Sequence, residues 1–302
     1  MKPLIKYRGG KSKELHHLVK HIPDFSGRYI EPFFGGGALF FYLEPKKALI
    51  NDINSKLMAF YSTVKSDFKI LSAELDSIEQ IYTLNRKRFE QLKAKSPDSR
   101  VNDENEAFYY RLRDMYNELI DKKYSDAALY FYINKTAYSG MIRHNSKGEF
   151  NVPYGRYANL NTSLITEAHH KLLGNTEILN SDYKKVFQLV KKDDFMFLDP
   201  PYDCVFSDYG NIEQKDGFTE ENHLELASAY RKLECKALMV IGRTPLTEKL
   251  YGDLIIDEYD KAYAVNIRNR FKASASHILL ANYKNSGEMR YLNTEPQIEL
   301  AS

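Results

Sequence analysis

The chain has 302 residues, 43% hydrophobic and 28% charged, enough for one large or two smaller globular domains with a sizeable core. Its 43 Lys and Arg nearly balance 41 Asp and Glu, so the net charge of +2 does not by itself announce a nucleic-acid partner, and any basic footprint must be local. Cys204 and Cys235 are too few for a disulfide framework and lack metal-ligand spacing, and no apolar stretch approaches a spanning length of about 18 residues.

In chain order, Lys6-Tyr7-Arg8-Gly9-Gly10-Lys11-Ser12 comes first and ends in the Gly-Lys-Ser of a P-loop. The leading glycine of that pattern falls on Ile5, however, and no full strand fits upstream. The segment reads instead as a glycine loop that feeds a helix, points Lys11 at a carboxylate and lays Tyr7 over an apolar part of a ligand. A basic amino-terminal turn is the plainer alternative.

Residues 28–31 then run into Pro32-Phe33-Phe34-Gly35-Gly36-Gly37-Ala38, which reads as strand, glycine turn and helix. Such a turn lets backbone approach a ligand, and the helix N-terminus favours a negative group there. Ala48-Leu49-Ile50 gives a second strand ending at Asn51-Asp52. Asp52 lies fifteen residues beyond Gly37, placed to accept both hydroxyls of a ribose, and the pairing supports an adenosine-containing cofactor. The triple glycine alone is equally a packing turn.

Residues from about 56 to 156 break the strand cadence, being rich in Tyr, Lys, Arg, Glu and Leu at helical spacing, and read as an inserted helical domain. The insertion closes on Asn145-Ser146-Lys147-Gly148-Glu149, where Lys147-Gly148 marks the turn of a small hairpin. Around it, Lys135, Arg143, Lys147 and Arg156 stand against the single acid Glu149, interleaved with Tyr138, Phe150, Tyr154 and Tyr157. This is a candidate nucleic-acid surface: Arg143 for a bidentate guanine contact, Tyr138 for wedging into the base stack, Met141 or Pro153 for a thymine methyl. A second basic cluster, Lys261, Arg268, Arg270 and Lys272, has no acid among residues 261–272 and is a candidate phosphate grip. An ordinary solvated face is the alternative for either cluster.

Strand candidates follow at 195–198, 237–241 and 277–282, with helical stretches such as 220–233 between them, the cadence of a doubly wound α/β sheet. Beyond Tyr283 the composition becomes polar and aperiodic, so 284–302 is expected to be a loose tail. The most informative string is Asp199-Pro200-Pro201-Tyr202, directly after the apolar run Phe195-Met196-Phe197-Leu198. The run reads as a buried parallel strand, which puts the tetrapeptide at its carboxyl end, where open α/β sheets bind ligands. The two prolines hold the backbone extended and leave the Pro200 carbonyl free to accept. An exocyclic amine needs two acceptors, which Asp199 and that carbonyl supply, while Tyr202 offers a face to an unstacked nucleobase.

Three features carry less. His16, His17 and His21 include an i, i+4 pair, but no further ligand completes a metal site, and none is expected. Cys204 invites a cytosine C6 attack, yet the Pro-Cys pair of that chemistry is absent and the thiol reads as structural. The sequons at Asn134 and Asn161 read as chance matches, since the basic amino terminus has no secretory h-region and a reducing cytoplasm is the expected setting.

Taken together, Lys6-Tyr7-x-Gly-Gly-Lys11, Glu31-Pro32-Phe33-Phe34-Gly35-Gly36-Gly37, Asn51-Asp52, residues 145–153 and Asp199-Pro200-Pro201-Tyr202 resemble the Dam-type DNA adenine-N6 methyltransferases. Their order follows the alpha group of amino-methyltransferases, the D12 class, over roughly residues 2–283. The resemblance implies a Rossmann-like class I methyltransferase sheet, with a catalytic domain at 1–57 and 165–283 and a target-recognition domain at 58–164. It implies S-adenosyl-L-methionine as cofactor, held by Tyr7, Gly10, Lys11, Glu31, Phe34, Gly35, Gly36, Asp52 and Asp199, with Asp182 on the adenine edge. It implies double-stranded DNA as substrate, contacted by Tyr138, Ser139, Met141, Arg143, Asn145, Lys147, Pro153, Arg268 and Arg270, and an adenine flipped onto Asp199, Pro200, Pro201 and Tyr202.

A GATC or related short site is the expected target, although Ser139 replaces the asparagine usual beside the intercalating tyrosine, and Val240-Ile241-Gly242-Arg243 departs from the usual Ser-Asn pattern. The implied setting is a bacterial cytoplasm or a phage-encoded enzyme, with the oligomeric state and a cognate restriction endonuclease left open. Cytosine N4 presents the same amine geometry and is one rival acceptor; a DNA-binding module with an inactive cofactor pocket is the other.

Overall fold

A computed structural model describes residues 1–140, 142–202, 218–261 and 275–284. The described residues form one seven-stranded sheet flanked by helices. In chain order they give α1 (Leu15–Leu18), β1 (Tyr29–Glu31), α2 (Ala38–Leu43), β2 (Ala48–Asn51), α3 (Ser55–Ser66), α4 (Phe68–Lys95), α5 (Glu104–Tyr116) and α6 (Asp126–Thr136). There follow α7 (Glu167–Gly174), β3 (Thr176–Leu179), α8 (Tyr183–Phe187), β4 (Phe195–Leu198), α9 (Glu220–Tyr230), β5 (Lys236–Gly242), α10 (Pro245–Tyr251), β6 (Ile255–Lys261) and β7 (Ala275–Ala281).

The strand order is β3-β2-β1-β4-β5-β7-β6, with β1 to β5 parallel and β7 antiparallel to both of its neighbours, consistent with a class I methyltransferase sheet. Both faces are covered, so the central strands are apolar throughout rather than alternating. Tyr29, Ile50, Phe195, Phe197, Leu238 and Val240 point into one core, and Ile30, Leu49, Met196, Leu198, Met239 and Ile241 into the other. The first core continues without a break into α3 to α6, so the helical insertion is packed on the sheet's own hydrophobic layer.

Helix α3 does the joining. Asn54 caps it by accepting from Leu57 N–H at 3.0 Å, and its buried face, Leu57, Met58, Phe60, Tyr61 and Val64, packs on both α6 and α7. The expected junction at 57/58 therefore lies inside a continuous helix. The expected hairpin is present as antiparallel bridges Ala137 to Tyr154 and His144 to Phe150. Its turn closes through Gly148 N–H to Asn145 O at 2.9 Å, with Gly148 at φ 81.

The strands expected at 195–198, 237–241 and 277–282 are β4, β5 and β7, and the helix expected at 220–233 is α9. Strands β3 and β6 are additional; both lie at sheet edges. Most important for function is the centre: β1 connects onward to β2 on one side, whereas its other neighbour is β4. This reversal opens a crevice at the strand carboxyl ends, into which the residues after Glu31 and after Leu198 both emerge.

Candidate active site

The glycine turn after β1 is shaped by two inward anchors. Phe34 donates its N–H to Asn51 O at 2.9 Å, and its ring is buried against Phe40 and Tyr61. Only its backbone therefore faces the crevice. Gly35 has φ 48, and a Cβ there would come within 2.7 Å of the Tyr7 ring, so the amino-terminal loop closes directly over the turn. Gly37 has φ 63, with the Phe34 ring directly against the place where its Cβ would stand. Left-handed backbone and close approach both require glycine here.

Asp52, at the tip of β2, holds the turn from the other side: Oδ2 accepts from Gly35 N–H and Oδ1 from Asn54 N–H, each at 2.9 Å. Asn51 stitches the neighbouring segments together, donating to Pro32 O and Ser181 O and accepting from Ser181 N–H and Oγ. Asn180 adds bonds to Asp52 O and Ile53 O. Asp182 is exposed and caps α8 by accepting from Lys184 N–H at 2.8 Å.

The chemistry-bearing groups meet across the crevice. Lys11, whose side chain is only 4% exposed, places Nζ 2.6 Å from Asp199 Oδ2. Asp199 Oδ1 accepts from Tyr202 OH at 3.2 Å, and the Lys11 ammonium stands 5.1 Å from the Tyr202 ring centre. The Tyr202 ring is backed edge-on by His277, with centroids 5.0 Å apart. Behind it His277 Nδ1 lies 2.9 Å from Glu14 Oε2, which also accepts from Tyr259 OH at 2.7 Å. Glu31, at the end of β1, is fully buried and accepts from Tyr29 OH at 2.7 Å. Burial raises its carboxyl well above the ordinary value; the Tyr29 bond opposes this and nearby Asp199 and Asp52 reinforce it.

Tyr7, Gly10, Lys11, Glu31, Phe34, Gly35, Gly36, Asp52, Asp182, Asp199, Pro200, Pro201 and Tyr202 thus all line one cleft, about 1090 Å³ counted to its open mouth. Its lining could hold an S-adenosylmethionine-type donor: Lys11 could meet a carboxylate, Asp52 ribose hydroxyls, and the carboxylates of Asp52, Asp182 and Asp199 complement a ligand that carries sulfonium and ammonium charge. Sequence reading missed the aromatic end of the cleft, Phe33, Tyr183 and Phe218, where Phe33 lies 5.1 Å from Tyr183 and Tyr183 OH is buried without a protein partner. Only proximity of Phe33 and Tyr183 to the glycine and Asp182 segments signalled them; Phe218 gave no signal.

Of the residues expected to contact DNA, Tyr138, Ser139, Arg143, Asn145, Lys147 and Pro153 lie on and around the hairpin, outside the lining of this cleft. Tyr138 is 55% exposed and follows directly on α6. Ser139 and Gly140 both have positive φ, 55 and 60, which turns the chain sharply after that ring. Arg143 is exposed and donates Nε to Asn151 Oδ1 at 2.8 Å. Asn145 shapes the turn, accepting from Lys147 N–H and Glu149 N–H, while Lys147 and Pro153 are exposed. Met141, Arg268, Arg270 and Lys272, like Cys204, lie outside the described residues. Of the histidines, His21 pairs with Asp257 at 2.9 Å and His17 stacks on Tyr259; no metal-ligand cluster occurs among the described residues. Nor is any described helix long and apolar enough to cross a membrane. Cys235 is buried, which pushes its thiol up to about 12.

Comparison with known proteins agrees with this geometry. The chain is 33% identical over 291 residues to the type II methyltransferase M.CviBI of Paramecium bursaria Chlorella virus NC1A, covering 94% of this chain and 100% of that one. It is 34% identical to the type II methyltransferase M.MjaIII of Methanocaldococcus jannaschii, over 84% and 88% of the two chains. It is 25% identical to a DNA adenine methylase of Haemophilus influenzae, over 90% and 84%. The family model for D12 class N6 adenine-specific DNA methyltransferase matches residues 7–267, and with most of its length so matched the chain belongs to that family of DNA-modifying enzymes.

Proposed function

We propose that the protein transfers a methyl group from S-adenosylmethionine to N6 of an adenine flipped out of duplex DNA, within GATC or a related short site. The observation that carries this reading is the placement of Asp199, Pro200 and Tyr202 at the carboxyl end of β4, across the crevice from the glycine turn, with Lys11 on Asp199.

The cofactor supplies a sulfonium methyl that is already electrophilic, so the protein's work is positioning and electrostatics. Adenine N6 is a poor nucleophile because its lone pair is delocalised into the ring. Asp199 and the Pro200 carbonyl accept its two hydrogens, which favours a tetrahedral nitrogen and stabilises the positive charge that grows there. Tyr202, braced by His277, receives the base on its face. Lys11 holds Asp199 in the free protein; once turned to the carboxylate of a bound amino-acid moiety, it leaves Asp199 Oδ2 open to the amine.

Specificity is assigned to the hairpin. Tyr138 wedges into the stack beside the flipped base, and Arg143 reads a guanine. Its bond to Asn151 orients the guanidinium before DNA arrives. Arg268 and Arg270 are assigned to phosphates, and a cognate endonuclease is the natural partner if the enzyme serves modification. The test is to map methylated positions in plasmid DNA treated with the purified protein. Modified adenines confined to GATC support the full assignment, modified adenines in another sequence keep the activity and reject GATC, and unmodified DNA rejects the activity.

A further inference from the structure

Building on that reading of the cleft and the hairpin, we propose that Asn134 is a positioning residue for methyl transfer, fixing the register between the cofactor loop and the recognition hairpin. It stands in the last turn of α6, buried, 128 positions from Lys6 in the chain. Its Oδ1 accepts from Lys6 N–H and its Nδ2 donates to Lys6 O, both at 2.7 Å. A primary amide used this way makes both bonds of a strand pair to one residue, which restrains the loop in translation and rotation together. Asp keeps the acceptor but sets a second oxygen against the Lys6 carbonyl, and Ala makes neither bond.

What the bolt joins gives it meaning. On the loop side Lys6 precedes Tyr7, whose ring covers Gly35 and whose carbonyl accepts from Gly10 N–H at 3.1 Å, and the loop then delivers Lys11 to Asp199. On the other side Asn134 lies one turn before the hairpin base. There Tyr138 N–H donates to Pro153 O at 2.9 Å and Gly155 N–H to Thr136 O at 2.8 Å. The seam continues through the Lys6 side chain, whose stem passes Gly140 and whose ammonium stands 3.9 Å from the Tyr157 ring centre. The segment proposed to hold the methyl donor and the segment proposed to hold the DNA therefore meet along one seam, in which the Asn134 amide makes both backbone bonds to Lys6. A relative shift of about 1 Å between reacting partners costs on the order of a hundredfold in rate, although each partner still binds.

The test uses the full chain, as wild type, N134A and the isosteric N134D. Sinefungin affinity, duplex affinity and the single-turnover rate of adenine methylation are measured separately. Both variants are expected to bind each ligand within about threefold of wild type and to methylate at least about tenfold more slowly at saturation. For N134D the rate relative to wild type should recover as pH falls, because protonation of the introduced carboxyl restores a donor to Lys6 O. A folded variant with a wild-type single-turnover rate overturns the proposal, and so does rate loss that merely follows loss of both binary affinities. If N134A does not fold, N134D decides by the same outcomes. Wild-type protein that fails to methylate adenine instead overturns the underlying functional reading, which separates the two failures.

Discussion

Lys11 and Asp199 stand 188 positions apart in the chain, yet Lys11 Nζ and Asp199 Oδ2 are 2.6 Å apart in the lining of the cleft. The pair couples the two ligands the cleft is proposed to hold, because the same carboxylate is to serve the base and the same ammonium the cofactor.

Removing either partner separates stability from chemistry. D199A should abolish methyl transfer while retaining most of the duplex affinity, since the phosphate grip is proposed for other residues, Arg268 and Arg270. K11M leaves a mostly buried carboxylate without its counter-ion, with only the Tyr202 hydroxyl bond kept, and should lower stability by about 1–3 kcal/mol in denaturant titration. Normal turnover by D199A would remove Asp199 from the mechanism.

The glycine turn makes a steric prediction. G35A places a methyl 2.7 Å from the Tyr7 ring at φ 48 and must push the loop outward, costing about 1–2 kcal/mol in backbone strain alone. Sinefungin binding by calorimetry should weaken by about tenfold or more, given the energy of one displaced contact set. Unchanged affinity would show that Tyr7 and the turn do not form one binding surface.

Glu31 predicts a pH dependence. Burial holds its folded carboxyl well above 4.5, so folding favours the protonated form. A raised folded pKa contributes stability that is fully present below the unfolded value and is lost as pH rises through the folded one. E31Q cannot ionise, so its thermal stability relative to wild type should improve progressively as pH rises above the unfolded carboxylate range, with the smallest difference at the acid end. A difference that stays flat with pH would mean the carboxylate is ionised in the folded protein after all.

Tyr138 predicts a substrate-dependent defect. The ring is 55% exposed, so Y138A should keep its melting temperature and its sinefungin affinity. Methylation of a paired adenine should fall more than methylation of a mismatched one, where unstacking is less costly by a few kcal/mol. Equal losses on both substrates would reject the wedge.

Much of this site was legible because its parts are local. The apolar run Phe195 to Leu198 announces a buried parallel strand, and whatever follows it must emerge at the carboxyl end of the sheet. The glycine turn and Asp52 are likewise read from strand-end positions. What stayed hidden depends on pairs distant in sequence: Asn51 with Ser181, Glu14 with His277, and Asn134 with Lys6. Edge strands escaped for a different reason. β3 is half-exposed and β6 carries Asp257, Glu258 and Asp260, so neither shows a continuous apolar run, and pairing rather than composition makes them strands.

The most direct measurement is digestion of methylated duplex to nucleosides after reaction with labelled S-adenosylmethionine, alongside D199A. The account predicts label in N6-methyladenine with wild type and none with D199A. Label in N4-methylcytosine, or equal labelling by D199A, would contradict it.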